Sequence, residues 1–183
     1  HWFAVLTKPR AESLAREHLA RQGFECRLPR MRRLLRRAEG MREVVEPALR
    51  PQALALVREH QQRGDAVALV TATNDFVTAP IARSLGIATL IAVRLERGPG
   101  GTITGRIAGT PSYREGKVIR VGEWLAESGR GWGDFERISV YSDSPNDLPL
   151  LERASDPVAT NPSPALEAVA RERGWRILRL FEE

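Results

Sequence analysis

The 183-residue chain has a single cysteine, Cys26. One thiol excludes an internal disulfide and fits a reducing, cytoplasmic setting. Cys26 itself reads as a small buried apolar residue and not a nucleophile. Long apolar runs are also missing: none approaches the ~20 residues that a membrane-spanning helix needs. The opening residues are strand-like, without the basic-then-apolar pattern of a secretory leader. His1, His18 and His60 show no metal-binding spacing. His18 and His60 fall on predicted helices, where they are expected to be solvated. No internal repeat is visible. No aromatic residue interrupts the basic tract Arg30–Arg37, so base stacking has nothing to build on there.

What is present is ordinary for a water-exposed globular chain: 42% hydrophobic and 28% charged residues. The length supports one good-sized core, or one core with a small appendage. Charge is unevenly spread. The whole chain carries +5, with 28 Lys+Arg against 23 Asp+Glu. Residues 1–40 hold ten basic and four acidic side chains, so the rest is close to neutral. Arg27, Arg30, Arg32, Arg33, Arg36 and Arg37 dominate this excess. Such a cluster can draw a polyanion such as nucleic acid, or can be a solvated basic surface.

Hydrophobic periodicity predicts alternating helices and strands. A helix is expected over 51–63, with Pro51 in its first turn and Gly64 at its stop. A strand follows over 66–71, then a helix over 76–85 containing Pro80. Residues 89–95 and 102–107 read as a hairpin-like excursion around the turn Glu96–Gly101. Further elements are a helix over 115–128, strands over 137–142, 157–159 and 175–180, and a helix over 163–173. This pattern predicts an α/β protein with a Rossmannoid, mainly parallel sheet and helices on both faces.

Three stretches carry chemistry. The first, Tyr141-Ser-Asp-Ser-Pro-Asn-Asp147, lies between a predicted strand and a helix. Asp143 and Asp147 therefore sit at the carboxyl end of a strand, where open α/β sheets bind ligands. Paired carboxylates suit a hard cation such as Mg²⁺, and the cation suits a phosphate; alternatively, either Asp merely caps the helix. The second, Val67-Ala-Leu-Val-Thr71 followed by Ala72-Thr-Asn-Asp75, reads as a strand running into a helix start. A Thr hydroxyl and free backbone N–H groups there would make an anion site, and simple capping by Thr71 or Thr73 is the alternative. The third, Tyr113-Arg-Glu-Gly-Lys-Val118, opens a helix. Lys117 is misplaced for the helix macrodipole, which favours cations at the other end.

Taken in order, these stretches resemble the haloacid dehalogenase superfamily of phosphatases, in the phosphoserine-phosphatase-like branch. Val70-Thr-Ala-Thr73 is similar to its second motif, Gly116-Lys117 to its third, and Ser142-Asp-Ser-Pro-Asn-Asp147 to its fourth. The resemblance runs from about Met41 to the C-terminus. It implies Mg²⁺-dependent hydrolysis of a phosphorylated small molecule. Asp143 would be the metal ligand. Thr71, the Ala72 backbone N–H, Asn146 and Lys117 would hold the substrate phosphate or inorganic phosphate. Lys117 and Asp147 would form the catalytic pair, with Asp147 orienting Lys117. The family's first motif, Asp-x-Asp-x-Thr, supplies the nucleophile and the acid/base, yet no Asp-x-Asp occurs in the 183 residues. Little or no turnover is therefore expected.

Residues 1–37 resemble the start of a NusG-like transcription elongation factor. The similarity rests on Trp2-Phe-Ala-Val-Leu-Thr-Lys-Pro-Arg10 and Gln22-Gly-Phe-Glu-Cys26, in a predicted βαβ arrangement. It implies two units, a βαβ segment at 1–38 and a phosphatase-like core at 39–183. It also implies an alternative function, a non-catalytic module binding RNA polymerase or nucleic acid through the basic segment. Trp2–Thr7 is expected to fill the central strand position that the missing first motif leaves empty.

Overall fold

The computed structural model describes residues 50–181. Helix α1 (Pro51–Gln62) starts on a proline, whose missing N–H costs nothing at that position. It has no buried residue and so lies on the surface. Strand β1 (Ala68–Asn74) leads into α2 (Asp75–Ser84), which the Asn74 side chain caps by accepting from the Val77 N–H. Strand β2 (Thr89–Val93) is followed by β3 (Leu95–Arg97) and β4 (Ile103–Ile107), an antiparallel pair around a turn at Pro99–Gly101. Then come α3 (Glu115–Glu127), β5 (Ser139–Ser142), α4 (Leu148–Arg153), β6 (Asp156–Thr160), α5 (Pro164–Glu172) and β7 (Arg176–Leu178).

The expected parallel α/β architecture is what forms. β1 pairs in parallel with β2, and β5, β6 and β7 pair in parallel in that order. Among the described residues, β1 and β5 do not pair with each other, and each keeps one unpaired edge. Two cavities are nevertheless lined by residues of, or just before, strands of both half-sheets. One lies at the carboxyl ends, lined by Thr71 and Ser142. The other lies at the amino ends, lined by Ala66 and Ser139. Among the described residues, the half-sheets therefore flank a common space. The segment expected to fill it, Trp2–Thr7, lies outside the described residues, as do Cys26, the Arg30–Arg37 tract and the proposed boundary at 38/39.

Two apolar clusters support the half-sheets. Ile91, Val121, Leu125 and Leu150 form one, and Leu151, Ala159, Leu166 and Ala170 the other, with Val140 of β5 packed against both. Leu151 and Leu166 are fully buried, each removing about 2–3 kcal/mol of apolar surface cost from water. No described helix is long and apolar enough to cross a membrane.

Candidate active site

Each candidate residue is placed by a local device that the sequence sets up. On β1, the ladder partners are regular to Val70↔Ile91 and resume at Asn74↔Val93, so residues 71–73 fall in a bulge. Bulges free backbone groups from the ladder and re-aim side chains. The Thr71 Oγ1 accepts from the Thr73 N–H at 3.1 Å. Among the described residues its own O–H has no acceptor. The strand runs on to Asn74, past the end expected at Thr71, and Asn74, not Thr71 or Thr73, caps the helix that follows.

Lys117 is held by a pinned loop. The buried Ser112 hydroxyl donates to the Ile91 carbonyl at 3.2 Å, and the Arg120 guanidinium donates to the Thr110 carbonyl at 3.1 Å. The first ties the loop before α3 to β2, and Arg120, which also donates to the Ala92 carbonyl at 3.4 Å, bridges the loop to the same strand. Gly116 is required where that loop meets the helix, because a Cβ there would lie 2.0 Å from the Pro111 carbonyl oxygen. With this approach fixed, Lys117 enters the interior at 5% exposure.

A buried ammonium needs a partner. Asp147 provides it, with Lys117 Nζ 2.5 Å from its Oδ1. The other carboxylate oxygen, Oδ2, accepts from the Ser142 hydroxyl at 2.8 Å. Both oxygens are therefore committed, which makes Asp147 an orienting group and not a free nucleophile. Its side chain does not cap the helix: Asp147, at the end of the turn Pro145–Asp147, is the N-cap residue of α4 but makes no side-chain capping hydrogen bond. Ser142 was not singled out in the sequence; its place as the last residue of β5, next to Asp143, was the available signal. Asn146 follows from the same turn, and its Oδ1 accepts from the Tyr113 hydroxyl at 3.3 Å.

The six candidates Thr71, Ala72, Lys117, Asp143, Asn146 and Asp147 all line one cavity of about 310 Å³. Its other walls include Tyr113, Tyr141 and Ser142. An ammonium has three donors, and Asp147 takes one. Among the described residues the other two have no acceptor, and the Thr71 hydroxyl and the Asn146 amide line the same cavity. Asp143 is exposed, with no described ion-pair partner for its carboxylate. The arrangement can hold an oxyanion and present one carboxylate beside it.

A model of the haloacid dehalogenase-like hydrolases matches residues 2–152. The chain belongs to the haloacid dehalogenase-like hydrolase family. It is 43% identical over 140 residues to a histidinol-phosphatase of Neisseria meningitidis, covering 76% of this chain and 63% of that protein. It is 37% identical over 122 residues to a phosphoserine phosphatase of Mycobacterium tuberculosis, covering 67% of this chain and 38% of that one. The chain thus spans less than two thirds of the length of these curated relatives. A Bordetella pertussis protein of unknown function superimposes with a TM-score of 0.78 at 48% identity, covering 96% of this chain and 76% of its own. A substrate-bound phosphoserine phosphatase shares the fold, with a TM-score of 0.53 at 23% identity over 69% of this chain and 56% of its own. The haloacid dehalogenase-like model begins at residue 2, inside the segment read as NusG-like, and no comparison supports the NusG-like reading or an RNA polymerase or nucleic-acid partner.

The third histidine expectation also changes. His60 is not simply solvated: its ring nitrogens contact the Tyr141 hydroxyl at 2.8 Å and Asp65 Oδ2 at 2.7 Å. This cluster faces the second, larger cavity, on the amino-end side of the half-sheets.

Proposed function

We propose that this chain carries the phosphate-holding part of a phosphomonoester hydrolase site, for a phosphorylated small molecule, and that the 183 residues alone turn over little or none of it. The single observation that carries this reading is the buried Lys117–Asp147 pair in one cavity with Thr71 and Asn146. In this reading Lys117, the Thr71 hydroxyl, the Ala72 N–H and Asn146 bind the phosphate oxygens, and Asp147 keeps Lys117 in place. The names of the relatives, a histidinol-phosphatase and a phosphoserine phosphatase, support a small phosphorylated metabolite as the class of substrate.

Two features argue against efficient turnover. First, covalent phosphoryl transfer needs a free carboxylate to accept the group. No Asp-x-Asp is present, and Asp147 is fully engaged. Second, Mg²⁺ is reluctant to shed its waters and is held through one or two carboxylates plus substrate phosphate. The described residues contain no group of three or more His, Cys, Asp or Glu able to hold a metal. Asp143 together with a bound phosphate fits Mg²⁺ only as a weak, largely hydrated site. When bound there, Mg²⁺ would neutralise phosphate charge.

The test is hydrolysis of a generic aryl phosphate with and without Mg²⁺. Background rates are expected for the unmodified chain. Robust Mg²⁺-dependent hydrolysis, abolished by Asp143→Asn, would mean that a working nucleophile is present and would overturn the reading. The paired substitutions Thr7→Asp and Pro9→Asp are the constructive version. They should raise the rate if Trp2–Thr7 does occupy the gap between the half-sheets.

A further inference from the structure

Tyr113 is an exposed aromatic residue at 44% exposure, and it lines the anion cavity. Exposed rings on loops are common and usually need no explanation. This one differs in how firmly its backbone is fixed. The residue before it, Ser112, is fully buried and bonded to the Ile91 carbonyl. Arg114 after it has a positive φ of 48°, and its guanidinium lies 5.3 Å from the Tyr113 ring centroid. Gly116 closes on the Pro111 carbonyl with no room for a Cβ. Holding a non-glycine residue at positive φ is strained and persists only where the surroundings impose it. The loop therefore fixes where the Tyr113 side chain leaves the backbone, which lowers the cost of using its ring for binding.

The cavity is larger than a phosphate requires. At about 310 Å³ it reaches the lower end of small-molecule sites. Its identified polar groups, Lys117, Thr71 and Asn146, account for the anion and leave the remaining volume to the organic part of the ligand. Two aromatic residues line it, Tyr113 and Tyr141. The Tyr141 hydroxyl is bonded to His60, and Val70 is small and half-buried on β1, so the exposed Tyr113 ring is the largest apolar surface open to the organic group. Its hydroxyl contact to Asn146, at 3.3 Å, is long for an O–H donor and supplies little energy.

We propose that Tyr113 is the specificity-determining residue of this site, and that its ring packs against a planar aromatic or heteroaromatic group on the bound phosphomonoester. The inference rests on the phosphate-binding reading above and deepens it. A ring–ring contact of this kind corresponds to about a 2- to 10-fold gain in affinity over an aliphatic group.

Calorimetric titration separates the two layers. The ligands are inorganic phosphate, ethylphosphonate and phenylphosphonate, tested on the full chain, Tyr113→Phe and Tyr113→Ser. The full chain should bind phenylphosphonate about 2- to 10-fold more tightly than ethylphosphonate. Tyr113→Phe should keep that ratio. Tyr113→Ser should bring it to about one while still binding inorganic phosphate, with an unchanged thermal midpoint showing that it folds. Equal affinity for the two phosphonates in the full chain, or a ratio that survives Tyr113→Ser, overturns the role of Tyr113 and leaves the anion site standing. Failure of all three ligands to bind overturns the anion site and this inference with it.

Discussion

Two acid–base contacts flank strand β5, and they differ in what surrounds them. Lys117 meets Asp147 at 2.5 Å, with side-chain exposures of 7% and 16%. His60 meets Asp65 at 2.7 Å, with exposures of 16% and 44%. The distances are nearly the same, yet the stakes are not. Removing one partner of a buried pair strands a charge in a poorly solvated place. An exposed pair that loses a partner simply returns to water, and such pairs contribute little. Burial, not separation, marks the first contact as the one around which the site is built. The cavities agree, since the Lys117 cavity gathers every residue expected to meet phosphate, and the His60 cavity gathers none of them.

The largest effect should come from breaking the buried pair. Lys117→Met should destabilise the fold by about 3 kcal/mol in a urea titration, because Asp147 is left without its cation. Adding Asp147→Leu should recover much of that loss, and a purely additive double variant would count against a coupled pair. Next is Gly116→Ala, which forces a Cβ against the Pro111 carbonyl at 2.0 Å. Its cost should be about 2 kcal/mol by chemical denaturation. A neutral result would show that the loop can yield and that Lys117 is not positioned by it.

On the exposed side the effects shrink. His60→Ala removes a hydrogen bond to Tyr141 that spans 81 residues of sequence. A loss of about 1 kcal/mol is expected, measurable as a small fall in the urea midpoint. The smallest effect is in acid. The hydrogen bond from His60, with Arg63 adding to it, holds the Asp65 carboxyl below its ordinary value. A depressed folded value means that the stabilisation is present above the unfolded value of 3.8 and fades as pH falls through the folded one. Midpoints recorded from pH 6 down to about pH 3 should therefore fall slightly more steeply for the natural chain than for Asp65→Asn. Identical slopes would remove this contribution.

Much of the fold was legible because its signals are local. Pro51 and Gly64 bound α1, and the turn at Pro99–Gly101 sits inside the expected hairpin. The candidate site was legible for a related reason, since its residues cluster at strand ends in three short stretches. What was hidden depends on long-range contacts. The bulge at 71–73 exists because β1 re-registers against β2, and no feature of Ala72-Thr-Asn states that. The Tyr141–His60 contact joins residues far apart in sequence, so a helical histidine was expected in solvent. The need for glycine at 116 comes from a carbonyl five residues earlier whose position the loop decides. Tyr113 read only as a helix-start residue until Asn146 was found beside it.

Inorganic phosphate titrated into the 183-residue chain by calorimetry, beside Lys117→Met, tests the central claim most directly. The account predicts saturable binding to the natural chain, without Mg²⁺, and its loss in the variant while the variant remains folded by circular dichroism. The same isotherm for both proteins would contradict it, because the buried Lys117 would then have no part in holding the anion.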